Sequence, residues 1–194
     1  RYHTTVNGLE SRMDNIRPGF VFAVGFDPKS DVHLSNVRNG YKSEFVNKSI
    51  YEASVSLLDK LIAEKSGPIP SYQNIITFFL DAVMDKDNAI LLKRNGAIAR
   101  VGARFINDNI DPYEISAKFG HSSCQDEEWQ SLRFEEEVST RHINALYASY
   151  KMPGIEVITL SGANGIIRVF RDGQIIDSTL RNEVKKRSLE ALAA

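Results

Sequence analysis

The sequence predicts an α/β fold in which helices cover a central mixed β-sheet that contains hairpins. Short β-prone segments alternate along the chain with amphipathic helical segments, which is the order expected of an α/β domain. Two pairs of β-prone segments are joined by dipeptides that favour tight turns, Asn95-Gly96 and Asp172-Gly173. Because a hairpin joins antiparallel strands, the predicted sheet is mixed and not purely parallel.

The composition limits the class of protein and the kind of ligand site. The 194 residues are 42% hydrophobic and 25% charged, which is typical of a globular chain able to bury one core. The 24 basic and 25 acidic residues give a formal net charge of -1, so no overall field attracts nucleic acid or an anionic membrane. Any anion site must therefore be local.

Cysteine usage and hydropathy indicate a cytoplasmic protein. The single cysteine, Cys124, excludes an internal disulfide, and the chain lacks paired cysteines and histidines at zinc-finger spacing. No apolar run approaches the roughly 18 residues of a membrane span. The chain begins with Arg1 instead of Met, so we expect it to be part of a longer protein.

Residues 1–70 are predicted to be an N-terminal elaboration that contributes the first core strand. The apolar run 20–26, bounded by Pro18-Gly19 and Asp27-Pro28, is typical of a strand buried on both faces. Apolar residues at helical spacing then predict an amphipathic helix over 43–65, ended by glycine and prolines.

Residues 71–194 are predicted to be the core, and we expect both parts to form one compact domain. A second, largely buried helix is predicted over 72–84. Residues 89–105 form a hairpin whose Asn95-Gly96 turn should be type I′, with positive φ at both residues. Residues 107–133 have little periodicity and are predicted to be a long surface loop with one helical turn. A loop of this length is uncommon unless it has a function.

The last third of the chain predicts a helix, a strand pair and a closing helix. The first helix starts near Ser139, buries Ile143, Leu146, Tyr147 and Tyr150, and ends at Pro153-Gly154. Strands over 155–161 and 165–176 follow, with the small-residue turn 162–165 between them and the Asp172-Gly173 turn within the second segment. A closing helix is predicted over 182–193.

Four polar side chains, Ser139, Thr140, Arg141 and His142, stand together at the start of the predicted helix. Ser139 or Thr140 as a helix cap explains two of them. Alternatively, the free N–H groups of a helix start, together with Arg141, form a local phosphate site. Arg141 and His142 project about 100° apart and can flank one ligand without sharing a face.

Asp87 is the second candidate, because it directly precedes a predicted strand. Asp and Asn are expected in a turn between a helix and a strand, which explains it without a function. The functional interpretation is that Asp87 ligates a divalent cation or orients a hydroxyl nucleophile. His121 and Cys124 resemble half of a metal site, which rarely binds a metal.

The order of these segments resembles the diadenylate cyclase (DAC) domain family, the nucleotidyltransferase domain of DNA-integrity scanning proteins and cyclic di-AMP synthases. One family motif is Asp-Gly-Ala before an apolar hairpin, and Asp87-Asn88-Ala89 stands there in this chain. The other is Gly-Thr-Arg-His-Arg at a helix start, matched by the residues from Ser139 to Ile143. The resemblance covers roughly residues 72–180, with 20–26 matching an earlier core strand.

The resemblance implies a DAC-like fold that binds ATP and condenses two ATP molecules into cyclic di-AMP and two pyrophosphates. In such domains two nucleotide-loaded subunits meet face to face, which implies a homo-oligomer. Asp87 would assist the attacking 3′-hydroxyl or hold Mg²⁺ or Mn²⁺. The nucleotide and its phosphates would be bound by the remaining motif residues: Asn88, Ala89, Ser139, Thr140, Arg141 and His142.

Departures from the family pattern motivate an alternative function. Asn88 replaces the glycine of the first motif, and Ile143 replaces the last arginine of the second. Groups that help to bind metal in relatives are replaced by Lys86 and by Ser161-Gly162-Ala163. The alternative is a sensor module that binds a nucleotide or cyclic dinucleotide without turnover and regulates an attached domain. A third hypothesis is an α/β domain whose motifs match by chance.

Overall fold

A computed structural model describes residues 19–41, 44–64, 76, 79–80, 88–107, 115, 134, 138–162 and 165–180. The helices bounded within these ranges are α1 (Asp31–Ser35), α2 (Ile50–Glu64) and α3 (Thr140–Lys151). The strands are β1 (Phe20–Val24), β2 (Val37–Tyr41), β3 (Ala89–Leu92), β4 (Ile98–Phe105), β5 (Glu156–Leu160), β6 (Ile167–Arg171) and β7 (Gln174–Ser178).

The seven strands form one mixed sheet in the order β2-β4-β3-β1-β5-β6-β7. β1 and β3 are parallel, and the other neighbouring pairs are antiparallel. The predicted α/β fold with a mixed, hairpin-containing sheet is confirmed. β1 and β2, which precede residue 71, lie in the same sheet as the later strands.

Each face of the sheet has its own core. α3 packs on one face, where Leu146 is 1% exposed and Ala89 and Leu91 of β3 are buried with it. α2 packs on the other face, where its Ala53 lies in a cluster with Ile90 and Leu92. β3 therefore contributes alternate residues to both cores, as expected of a central strand covered on both sides.

The two predicted hairpins use different turns. Asp172 and Gly173 have φ of 52° and 79° and join paired Arg171 and Gln174, as in a two-residue type I′ turn. In the other hairpin the type I′ prediction is wrong, because Gly96 has positive φ, at 81°, but Asn95 does not. Lys93 instead accepts from Gly96 N and donates to Ala97 O, so the loop has three residues.

Helix α2 begins at Ile50, seven residues after the predicted start at residue 43. The preceding backbone pairs with β4, since Asn47 N donates to Ile98 O and Ile98 N donates to Lys48 O. Ser49 and Glu52 then form a capping box, with Ser49 N donating to the carboxylate and Glu52 N to the hydroxyl. This Ser-x-x-Glu signal is present in the sequence and fixes the start.

Two elements were not predicted. α1 follows Ser30, whose hydroxyl accepts from His33 N at 3.3 Å. β2 is an edge strand with the sequence VRNGY, in which Asn39 and Gly40 have φ of 55° and 77°. A strand with two left-handed residues has no alternating pattern, and its pairing with β4 is non-local.

β1 is shorter and less buried than predicted. It ends at Val24 because Gly25 has φ of 91°, and Gly25 N and Phe26 N both donate to Leu92 O. Val21 and Ala23 are buried, whereas the residues that alternate with them are half-buried. Of the predicted second helix, Ile76, Phe79 and Leu80 are helical, and the rest lies outside the described residues. Most of 107–133 and all of 182–193 also lie outside them.

Candidate functional site

The start of α3 and the start of β3 lie at the same edge of the sheet. At the other end of α3, Ser149 accepts from Gly173 N in the β6–β7 turn, so the helix start lies over the end of β5. Phe22 of β1 pairs with Ile90 in parallel, which brings the start of β3 to that edge. Only β1 separates β3 from β5, so their ends are about 10 Å apart.

The start of α3 is positively charged and lacks a side-chain cap. Ser139 has the extended backbone of an N-cap residue, but its hydroxyl makes no capping hydrogen bond and lies 3.2 Å from His142 Nδ1. The first turn contains no acidic residue. The basic side chain of Arg141 opposes the helix dipole, and no side chain caps the first N–H groups, so this helix start favours an anion.

Arg141 is half-buried, and its guanidinium lies against the backbone at the start of β1. A Cβ on Gly19 would collide with Nη1 of Arg141 and would lie 3.0 Å from Leu160 O. Within the described residues the guanidinium makes no hydrogen bond or ion pair, whereas Arg171 pairs with Glu156. Arg141 therefore keeps its donors available to a ligand at this edge.

His142 lies beneath the helix start. It is 2% exposed, and its Nδ1 contacts the Ser139 hydroxyl. Ser139 and Thr140 are exposed. Arg141 and His142 leave the helix in different directions, as predicted, so Arg141 lies at the edge of the sheet and His142 lies in the interior. His142 is positioned to hold Ser139 and the first turn in place.

The first motif is divided between the two faces of the sheet. Ala89 is buried in the core beneath α3, and its methyl offers no hydrogen bond. Asn88 alternates with it and lies on the other face, where its Oδ1 accepts from Arg104 Nε at 2.9 Å. Asn88 is therefore separated from the start of α3 by the sheet. Asp87 lies outside the described residues.

The described residues do not build a metal site by themselves. No group of three His, Cys, Asp or Glu side chains that could hold a metal ion is found among them. Ser161 N donates to Ile166 O and Gly165 N to Ser161 O, so the small-residue turn closes the β5–β6 hairpin. The predicted metal site depends on Asp87.

A fully buried arginine beneath this edge was not singled out from the sequence. Arg168 of β6 is 1% exposed, and its guanidinium lies 5.5 Å from the ring centre of Phe134. Thr159 lies opposite Arg168 across the strand pair and is completely buried. The alternation of Arg168 with Phe170 in the sequence IRVF was the available signal, because it places both side chains on one face.

No protein-family model matches the chain, and no curated protein matches it significantly. Among the described helices, none has the length and apolar character needed to cross a membrane.

Proposed function

We propose that the chain is an adenine-nucleotide-binding domain similar to DAC domains, which condenses two ATP molecules into cyclic di-AMP and two pyrophosphates. The observation that carries the proposal is the uncapped, basic start of α3 at the edge where β3 begins. The two motifs are distant in sequence, and the starts of β3 and α3, which overlap them in sequence, lie at the same edge. A cytoplasmic location, where ATP is abundant, is part of the same proposal.

The proposed roles follow from the chemistry of each group. The N–H groups of Thr140 and Arg141 and the guanidinium of Arg141 bind phosphate oxygens. Ser139 lies beside them, and His142 supports the helix start from below. By resemblance, Asp87 orients the 3′-hydroxyl and holds Mg²⁺ or Mn²⁺, which would neutralise phosphate charge.

The proposed reaction uses one ATP molecule from each of two protomers. The 3′-oxygen of each ATP forms a bond to the α-phosphorus of the other, and each bond between the α-phosphorus and the pyrophosphate oxygen breaks. The two hydroxyl protons leave the attacking oxygens, and two pyrophosphates are released. Because each protomer holds one of the two ATP molecules, the reaction requires a homo-oligomer. Catalysis of such a phosphoryl transfer is mainly positioning and charge stabilisation.

Product analysis tests the cyclase activity. The purified protein is incubated with ATP and either Mg²⁺ or Mn²⁺ over a range of protein concentrations, and cyclic di-AMP is measured by chromatography. Asp87→Ala should abolish the product, whereas Asp59→Ala, which removes an exposed carboxylate of α2, should leave it unchanged. Absence of product under all these conditions refutes the cyclase.

A sensor that binds the nucleotide without turnover is the second candidate, and Ile143 favours it. This side chain packs against the core beneath α3, where the family carries an arginine. Calorimetry with ATP, ADP and cyclic di-AMP would detect binding in the absence of product. Arg141→Ala should weaken that binding by roughly 10- to 150-fold, the loss expected for a charge-assisted hydrogen bond. Arg94→Ala, in the exposed hairpin loop at the opposite edge, should leave it unchanged. Failure of all three ligands to bind refutes both functions.

A further inference from the structure

The Arg141 guanidinium occupies the space that a side chain at residue 19 would need. Gly19 directly precedes β1, and the volume that a Cβ would fill there is taken by Nη1 of Arg141. The same position would be 3.0 Å from the Arg141 Cζ and 3.0 Å from Leu160 O. The guanidinium thus lies on bare backbone, beside the last carbonyl of β5.

The backbone at Gly19 does not itself require glycine. Gly19 is not among the glycines with positive φ, so its φ does not exclude an alanine. The obstacle to a side chain is the Arg141 guanidinium, together with a tight contact to Leu160 O. An added methyl would therefore act first on the position of a flexible side-chain end.

The position of the Arg141 guanidinium is informative because the described residues offer it no polar partner. Within the described ranges its guanidinium makes no hydrogen bond or ion pair, although the residue is half-buried. Among the described residues, the contact that positions it is the flat backbone surface at Gly19. A guanidinium fixed in this way keeps its N–H fork free for bidentate contacts to phosphate oxygens.

We propose that Gly19 is a positioning residue, whose missing side chain sets the Arg141 guanidinium in place for binding the nucleotide phosphates. This inference rests on the proposed function for its ligand. The positional part, that a methyl at residue 19 displaces Arg141, stands on the geometry alone.

A double-mutant cycle tests it. ATP binding is measured by calorimetry for the native protein, Gly19→Ala, Arg141→Ala and the double variant. Gly19→Ala should weaken binding roughly tenfold or more, the loss expected when a charge-assisted hydrogen bond is misplaced. The effect should vanish in the Arg141→Ala background, which a general loss of stability would not produce. Gly96→Ala is the control. Gly96 has φ of 81°, so an alanine there should lower the free energy of unfolding, but an added Cβ has no neighbour within 4 Å and lies at the opposite edge, so ATP affinity should not change.

A second measurement needs no ligand. The ¹⁵N NMR signal of Arg141 Nε, assigned by its loss in Arg141→Lys, should shift in Gly19→Ala. If Gly19→Ala proves unstable, the double variant should recover stability, because the collision is with the guanidinium.

The outcomes separate the inference from the function. Undiminished ATP binding in Gly19→Ala, with binding weakened in Arg141→Ala, overturns the inference and leaves the function intact. If Arg141→Ala binds ATP as the native protein does, the proposed phosphate site is wrong. An unchanged Arg141 signal in Gly19→Ala overturns the positional part in every case.

Discussion

Removing the charge of Arg141 should stabilise the ligand-free protein while weakening nucleotide binding. The substitution Arg141→Gln keeps most of the side-chain length and the helix propensity but removes the cation. In the folded chain this cation stands in the first turn of α3, which contains no acidic residue. It has no protein partner within the described residues, so its removal breaks no ion pair or hydrogen bond there.

The magnitude follows from the helix dipole. A cation at a helix start is unfavourable by about 0.3–1 kcal/mol at low ionic strength, so the free energy of unfolding should rise by that amount. For a chain of this length the midpoint of thermal unfolding should rise by about 1–4 °C. The same substitution should weaken ATP binding by roughly 10- to 150-fold, since a charge-assisted hydrogen bond contributes about 1.5–3 kcal/mol.

Urea and thermal unfolding without nucleotide, at low salt and again at about 0.5 M salt, provide the assay, because salt should reduce the gain. Arg94→Gln is the matched control, since it removes an exposed arginine from the opposite edge. A loss of 1 kcal/mol or more in Arg141→Gln would refute the reasoning, because it would mean that the guanidinium stabilises the fold through a partner of its own.

Three further predictions concern neighbouring elements. Asn88→Ala should leave ATP affinity unchanged, because Asn88 binds Arg104 on the face away from α3; calorimetry beside Arg141→Ala checks this. Arg38→Glu should raise the free energy of unfolding by about 0.2–1 kcal/mol, because Arg38 and Arg104 are cross-strand neighbours of like charge; Arg94→Glu is the control. Backbone and side-chain hydrogen bonds from Ser49 lower the pKa of Glu52. The stabilisation that these hydrogen bonds give is present above the pKa of Glu52 in the unfolded chain and is lost as pH falls through its pKa in the folded protein. An NMR titration should show that Ser49→Ala raises the pKa of Glu52 in the folded protein.

Local signals predicted the fold where the responsible contacts are close in sequence. The dipeptides Asn95-Gly96 and Asp172-Gly173 predicted both hairpins, because the turns need left-handed residues at Gly96, Asp172 and Gly173. The strand β2 was missed because its pairing with β4 comes from distant residues and its own sequence includes Asn39 and Gly40 in left-handed conformations. Turn chemistry is thus readable from the sequence, whereas edge pairing depends on the assembled sheet.

The buried face of α3 was predicted only in part. Leu146 and Tyr147 are buried as expected, but Ile143 and Tyr150 are only partly buried. Small residues and His142 complete the buried face: Ala145, Ala148 and Ser149. The prediction used only the large apolar side chains, so it included Ile143 and Tyr150 and left out these smaller buried residues. The small residues let the helix lie close to the sheet, which the apolar pattern alone does not indicate.

The candidate site could be predicted as a set of residue types but not as an arrangement. The sequence indicated either that Ser139 or Thr140 caps the helix or that the helix start binds a phosphate. Ser139 is the N-cap residue, but its hydroxyl contacts His142 and makes no capping hydrogen bond. Asn88 was grouped with the helix start by its motif, and the alternation of β3 places it on the other face. Gly19 was interpreted only as a boundary of the first strand, because its contact with Arg141 involves a side chain distant in the chain.

The geometry of α3 explains why Ile143 and Arg141 have separate roles. Residues two apart on a helix project about 200° apart, so the two side chains leave the helix in nearly opposite directions. Ile143 packs against the core, whereas Arg141 lies over Gly19 at the edge of the sheet. Ser149 fixes the other end of the helix by accepting from Gly173 N and donating to Leu146 O. Because the helix is held at both ends, an arginine at position 143 would have to enter the packed side, so the positive charge of this site depends on Arg141 and on the uncapped helix start.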